Sequence, residues 1–135
     1  MPSYTKVAAG NIIPCRFVKL DTTAPGTVLQ AGAGTRPYGI SHPGTRNIPG
    51  DGLGMDDGYL AISGENVAIH GPPAKDVMLQ LGGTVDEGDF IMPSTNGLGI
   101  VVAANNDIYG AIAMKAGAAG DLIPVQVVAP SYYGA

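Results

Sequence analysis

The chain has 135 residues, enough for one domain with a buried core. Charged residues make up 13% of it, about half the usual share, and the formal net charge is −4. Its Lys and Arg residues are scattered, so the sequence lacks the cluster of cations that binding to a nucleic-acid backbone requires. A folded chain with so few charges is expected to cover part of its surface with copies of itself or with another protein.

The sequence shows neither a signal-peptide pattern nor an apolar stretch near the ~20 residues of a membrane-spanning helix. We therefore expect a soluble protein that is made in a cytoplasm and has no membrane partner. Cys15 is the only cysteine, so no intrachain disulfide can form. It lies in an alternating apolar run, which predicts a small buried side chain rather than a nucleophile.

The first 41 residues predict a loose arm followed by short strands. Residues 1–11 are small, polar and without pattern, and they are interpreted as an N-terminal arm. Residues 13–20 alternate and predict a first strand, residues 27–30 a second and residues 37–41 a brief third. The glycines near Gly34 are not followed by a helix start, so they do not form a phosphate-binding loop.

Residues 41–58 form a long connection with little strand character, SHPGTRNIPGDGLGMDDG. Connections of this length are uncommon in small domains and often bind partners, so this loop is the first candidate for a contact surface. Its Asp-Gly centre has a faint likeness to calcium-binding β-roll repeats. Because such rolls need tandem copies and only one is present, a solvated acidic loop is favoured over a metal site.

A glycine, an acid, any residue and an aliphatic residue recur three times in the second half. The motif begins at Gly64, Gly88 and Gly120, and each copy predicts a turn whose carboxylate accepts hydrogen bonds from backbone N–H groups before a strand starts. The second copy opens a β-hairpin over residues 88–102. Its turn contains Asn96 and Gly97, the pair that best tolerates the positive φ angles of a tight hairpin.

Further strands are predicted at residues 59–62, 67–69, 76–81, 108–114 and 121–128. Residues 111–119 are also compatible with a short helix, but the flanking glycines favour a strand and a turn. Pro124 is expected at an edge or a bulge because it has no N–H for a ladder. Residues 129–135 are interpreted as a second loose tail.

These elements predict an all-β chain: a single-domain antiparallel β-sandwich or small barrel of short strands, with loose N- and C-terminal arms. The predicted division is an N-terminal arm at 1–11, a β domain at 12–128 and a C-terminal tail at 129–135. About nine strands are expected.

The sequence contains no recognisable catalytic set. His42 and His70, the only histidines, stand in turns and lack the spacing of a metal-binding jelly roll. Glu87 and Asp89 flank Gly88, and turn capping explains them better than acid–base catalysis. We therefore expect no enzymatic activity, no catalytic or metal-binding residues and no cofactor.

Residues 110–125, GAIAMKAGAAGDLIPV, resemble the closing segment of the small capsid cement, or decoration, proteins of tailed bacteriophages. Those proteins end in a similar Ala-rich stretch followed by an Ala-Gly-acid-aliphatic-x-Val pattern. The order of Tyr38-Gly39-Ile40-Ser41, Gly64-Glu65-Asn66-Val67 and residues 85–90 is also similar to that family. The resemblance extends over residues 26–128, but the long loop with its Asp-Gly-rich centre has no counterpart in that family.

The resemblance implies a non-enzymatic virion protein on the outer surface of an icosahedral phage head. Such a protein bridges and stabilises neighbouring subunits of the major capsid protein, usually as a homotrimer. The alternative is a carbohydrate- or peptide-binding β-sandwich module of a virion or an adhesin, although the chain has no Trp for a stacking platform. The predicted contacts with the capsid or with other copies are Tyr4, Val7, Arg36, Tyr38, His42, Arg46, Asp51, Asp56, Asp57, Tyr132 and Tyr133.

Overall fold

A computed structural model describes residues 3–21, 23, 25–43, 59–104 and 107–132, with side chains from residue 5 onward. The described residues form ten β-strands in two sheets and one short 3-10 turn, Thr95–Gly97. The first five strands are β1 (Ser3–Ala8), β2 (Phe17–Leu20), β3 (Thr27–Gln30), β4 (Gly39–Ser41) and β5 (Asn66–His70). The others are β6 (Val77–Gln80), β7 (Phe90–Pro93), β8 (Gly99–Val101), β9 (Ile108–Ala113) and β10 (Leu122–Tyr132). The predicted all-β fold is confirmed.

The first sheet is a closed barrel in the order β1-β3-β2-β4-β5. β1 closes it, because it pairs antiparallel with β5 and parallel with β3. Apolar side chains from every part of the ring except β4 fill the interior: Ala8, Ile12, Val18, Val28, Ala61, Val67 and Ile69. The sequence predicted a β-sandwich or a small barrel, and this part of the chain is a small barrel.

The second sheet has the order β6-β10-β9-β7-β8. A bridge between Leu81 and Gly99 links the strand at one edge to the strand at the other, so the sheet curls around its own core. A Cβ atom on Gly99 would lie 2.6 Å from Leu79 Cδ2, so glycine is needed for this close approach. The core of this sheet includes Leu79, Ile91 and Val125.

The two sheets meet in one hydrophobic cluster. Phe17 and Ile40 belong to barrel strands, yet both are buried in the core cluster of the second sheet. Arg16 adds a polar link, because its Nε and Nη2 donate to Gln80 Oε1 at 3.1 and 2.8 Å and its Nη1 donates to the Asn96 carbonyl at 3.0 Å. The sheets are therefore joined by both apolar packing and charge-assisted hydrogen bonds.

The three Gly-acid motifs form three turns of one design. Each glycine has a φ close to +90°, and β5, β7 and β10 each begin one residue after the acid. Each carboxylate accepts a hydrogen bond from the N–H three residues earlier: Glu65 from Ile62 at 3.1 Å, Asp89 from Asp86 at 2.9 Å and Asp121 from Ala118 at 2.9 Å. The predicted turn chemistry is confirmed, including the capping role of Asp89.

The predicted hairpin is also confirmed. β7 pairs antiparallel with β8, with Pro93 opposite Gly99. Asn96 and Gly97 have φ angles of 60° and 75°, as the turn chemistry requires. A Cβ atom on Gly97 would lie 2.7 Å from the Phe17 carbonyl oxygen, so the hairpin tip also rests against the barrel.

Several sequence-based boundaries are wrong. The predicted arm contains β1, because pairing with β5 satisfies its backbone groups although its own sequence has no alternation. The predicted C-terminal tail continues β10 as far as Tyr132. The first strand begins at Phe17 rather than at residue 13, since Cys15 has a φ of 59° that interrupts the pleat. Residues 59–62 contribute only a bridge between Ala61 and Ile12.

The sequence predicted Pro124 at an edge strand or a bulge, and this prediction is wrong. β10 is flanked by β6 and β9, and Pro124 stands opposite Met78. Its carbonyl accepts the N–H of Met114, the residue after the end of β9. The missing N–H therefore falls at the end of the β9 ladder, where Pro124 accepts from Met114 but cannot donate in return. In the described part of the chain, no helix is long and apolar enough to cross a membrane.

Candidate functional site

A groove of about 740 Å³ lies where the barrel meets the end of β10. We call it the junction groove. Its lining combines the end of β2, part of β3, the segment before β4, the second residue after β5 and two residues of β10. These are Lys19, Leu20, Asp21, Leu29, Thr35, Arg36, Pro37, Tyr38, Pro72, Ala129 and Pro130. A concave site of this size accommodates a small ligand or several side chains of a protein partner.

The groove has apolar walls and a few charged groups. Leu20 is 48% exposed, which leaves a large aliphatic surface in contact with solvent. Asp21 is engaged by its own turn: its carboxylate accepts hydrogen bonds from the Thr23 N–H at 3.0 Å, the Thr23 hydroxyl at 2.7 Å and the Thr27 hydroxyl at 3.3 Å. These bonds lower the pKa of Asp21. The charge of Lys19 also helps to lower that pKa, and Arg36 is the other cation of the groove.

Two of the predicted contact residues, Arg36 and Tyr38, line the groove together. The Nζ atom of Lys6 on β1 lies 5.6 Å from the centroid of the Tyr38 ring, within cation–π range. Val7, another predicted contact, follows Lys6 and is 37% exposed. Tyr132, at the end of β10, is 55% exposed.

His42 belongs to a different cluster. Its ring stacks on the ring of His70, with centroids 3.8 Å apart and an interplanar angle of 16°. The backbone N–H of His42 donates to the Ala68 carbonyl at 3.1 Å. Burial lowers the pKa of His42, so its neutral form is favoured. The residue is thus part of the packing between β4 and β5.

Five of the predicted contact residues, Arg46, Asp51, Asp56, Asp57 and Tyr133, lie outside the described residues, as does most of the long loop. Tyr4 is described through its backbone alone, which pairs with Ile69. Cys15 is buried as expected, and burial raises the pKa of its thiol. Within the described ranges, no three His, Cys, Asp or Glu side chains come together as a metal site would require.

The second sheet presents a surface that sequence reasoning did not identify. Ile123 and Val125 of β10 point into the core, so the residues that alternate with them point away from it. Cross-strand partners share a face, and the register therefore assigns nine residues to the side away from the core. We call this set the outer sheet face: Met78, Gln80, Phe90, Met92, Ile100, Ile112, Leu122, Pro124 and Gln126.

No protein-family model matches the chain, and no curated protein matches it. In fold, the chain is similar to the crystal structure of the head fiber gp8.5 N base in bacteriophage phi29. The TM-score is 0.66 at 14% sequence identity, and the match covers 93% of this chain and 92% of that chain. At this identity the similarity establishes the fold, from the barrel through the second sheet.

Proposed function

We propose that the chain is a structural protein of a tailed-phage virion that decorates the outer surface of the head. The observation that carries this proposal is the match of almost the whole chain to the base of a phage head fiber. The low charge of the chain fits a protein that buries much of its surface against neighbouring proteins. The junction groove and the outer sheet face are the surfaces available for such contacts. The proposed task is that of a cement protein that bridges neighbouring major capsid subunits, with three copies acting together.

We assign the contact with the major capsid protein to the junction groove. Its apolar walls and its two cations, Lys19 and Arg36, fit a capsid segment that presents aliphatic side chains beside a carboxylate. A single contact of this size is weak. Three linked copies make it sufficient, because each bound copy raises the effective concentration of the next at its own site.

The direct test mixes purified protein with undecorated heads and measures co-sedimentation and the temperature at which the heads rupture. We expect the protein to bind and to raise that temperature. Arg36→Glu should weaken binding at least tenfold, whereas Lys75→Glu, an equal change of charge at an exposed residue outside the groove, should leave it unchanged. Loss of binding in both variants would show that net charge, and not the groove, controls attachment.

The same protein on a glycan array and a peptide array tests the alternative, a carbohydrate- or peptide-binding module. Binding to an array probe without any binding to heads would contradict the cement role. Binding to heads with silent arrays would support it.

A further inference from the structure

Asn96 and Gly97, at the tip of the β7–β8 hairpin, form a pair with its own covalent chemistry. Asparagine is thermolabile, and its side-chain amide is lost most readily where glycine follows, because glycine has no Cβ to obstruct the approach of its backbone nitrogen. Asn96–Gly97 is the only Asn-Gly pair in the sequence. Asn96 is exposed, so water reaches its side chain.

We propose that Asn96 is a site of spontaneous deamidation, and that the docking of the hairpin tip on the barrel controls the rate. In this reaction the Gly97 nitrogen forms a bond to Cγ of Asn96. The bond between Cγ and the side-chain nitrogen breaks, and ammonia leaves with the proton that Gly97 loses. A water molecule then opens the cyclic imide at either of its carbonyls. The product is aspartate or isoaspartate at residue 96, with one more negative charge than asparagine.

The folded tip keeps the Gly97 nitrogen away from this reaction. Asn96 has φ and ψ angles of 60° and 26°, and at this ψ the Gly97 nitrogen is turned away from the Asn96 side chain. A near-attack position on Cγ therefore requires rotation about ψ. The Arg16 guanidinium opposes that rotation, because its Nη1 donates to the Asn96 carbonyl at 3.0 Å. The Gly97 N–H is itself engaged, since it donates to the Ser94 carbonyl at 3.1 Å.

Packing against the barrel restrains Gly97 as well. The residue is buried, and a Cβ atom on it would lie 2.7 Å from the Phe17 carbonyl oxygen and 3.1 Å from Arg16 Cβ. Rotation about the ψ angle of Asn96 moves Gly97 out of this fit. The tip must therefore leave the barrel before the imide can form. The rate then follows the small population of molecules in which the tip has opened locally.

The two products differ in what they do to the tip. Aspartate leaves the main chain unchanged, so the tip can dock again. Isoaspartate adds a methylene group to the main chain at residue 96, next to a glycine whose surroundings have no space for even a Cβ atom. Conversion to isoaspartate therefore loosens the joint between the barrel and the second sheet.

Incubation of the purified protein at mildly alkaline pH, followed by peptide mapping with mass spectrometry, measures the reaction at Asn96 and requires no partner. The wild type unfolded in urea gives the unprotected rate. We expect the folded wild type to react at least tenfold more slowly than the unfolded chain. Arg16→Lys loses the planar fork that holds the tip, and it should react about tenfold faster than the folded wild type.

Two control variants separate local opening from other causes. Arg36→Lys, the same replacement in the junction groove, should react at the wild-type rate. So should Asp89→Ala, which removes a hydrogen bond in the turn at the other end of β7 and so lowers overall stability without touching the tip. Hydrogen exchange on the wild type adds a readout without any variant: the Gly97 N–H should exchange faster than the amides that pair β10 with β9.

Four results would overturn the proposal. The first two are no reaction at Asn96 in urea, and equal rates in the folded and unfolded wild type. The third is an Arg16→Lys protein that reacts no faster than Arg36→Lys. The fourth is an acceleration in Asp89→Ala equal to that in Arg16→Lys, or a Gly97 N–H as protected as the β10 amides, because either would mean that the reaction waits for global unfolding.

Discussion

The barrel and the second sheet have equally apolar cores, but their outer surfaces differ. The barrel strands include Lys6, Lys19 and His70, and the groove beside them adds Arg36. The strands of the second sheet include no charge at all. Because a core stabilises a fold whatever covers its outside, this difference is not needed for folding. The two regions therefore differ in what they expose: the surface beside the barrel carries charged side chains, whereas the strands of the second sheet carry none.

We expect the largest loss of stability when residues 1–8 are deleted. β1 closes the barrel between β3 and β5, and Ala8 is buried. We expect the deletion to abolish the cooperative unfolding transition in circular dichroism, since the second sheet shares its core with the barrel. Deleting residues 1–2 alone, which precede β1, should change the midpoint little. A stable protein without residues 1–8 would restore the interpretation of this segment as an arm.

Replacing Phe17 tests whether the two regions unfold together. Its side chain is fully buried on a barrel strand but belongs to the core of the second sheet. Phe17→Ala should lower the free energy of unfolding by about 3–5 kcal/mol. Denaturant titration should still show one transition. Leu20→Ala, on the same strand but 48% exposed, should cost about 1 kcal/mol or less. Two separate transitions would show that the barrel and the sheet are independent.

A smaller effect is expected at the polar link between the two regions. Arg16→Lys keeps the charge but loses the planar fork that reaches Gln80 and Asn96 together. We expect a loss of about 1–2 kcal/mol in denaturant titrations. Arg36→Lys, at an exposed position, is the control and should be neutral. An equal loss in both variants would show that an Arg→Lys replacement lowers stability at either position, and that the hydrogen bonds of Arg16 add nothing.

The turn before β7 offers an internal comparison. Asp89 accepts the Asp86 N–H at 2.9 Å, whereas Glu87 occupies the same turn on the other side of Gly88. Asp89→Ala should cost about 0.5–1.5 kcal/mol, and Glu87→Ala should cost less than about 0.5 kcal/mol, as measured by thermal melts. Similar values would show that removal of a negative charge, and not the capping bond, determines the result.

These turns were predictable because their chemistry is local. Glycine, acid and strand start are adjacent in the chain, so Gly64, Gly88 and Gly120 could be identified from the sequence. β1 could not, because its strand conformation depends on β5, which lies about 60 residues away. The positive φ of Cys15 also has no signal, since an ordinary residue adopts it only under tertiary constraint.

The junction groove and the outer sheet face differ in the same way. The junction groove combines residues 19–38 with Pro72 and Pro130, which no local pattern connects. The outer sheet face did leave a signal. The strands alternate, but the residues opposite the core positions are Met78, Phe90, Met92 and Ile112 rather than charged ones. This departure from the usual apolar and polar alternation of an antiparallel sheet is visible in the sequence alone.

The mildest expected effect is a dependence on pH through His42. Burial lowers its pKa in the folded chain, so below the ordinary value of about 6.5 the unfolded chain binds the proton more readily. Stability should therefore be full above pH 7 and should fall as the pH drops below 6.5. His42→Phe retains a ring to stack on His70 and should flatten this slope in melts between pH 7.5 and 5.5. Asp21 does not interfere, because its lowered pKa affects stability only below about pH 4. A slope that persists unchanged in His42→Phe would show that a group other than His42 carries it.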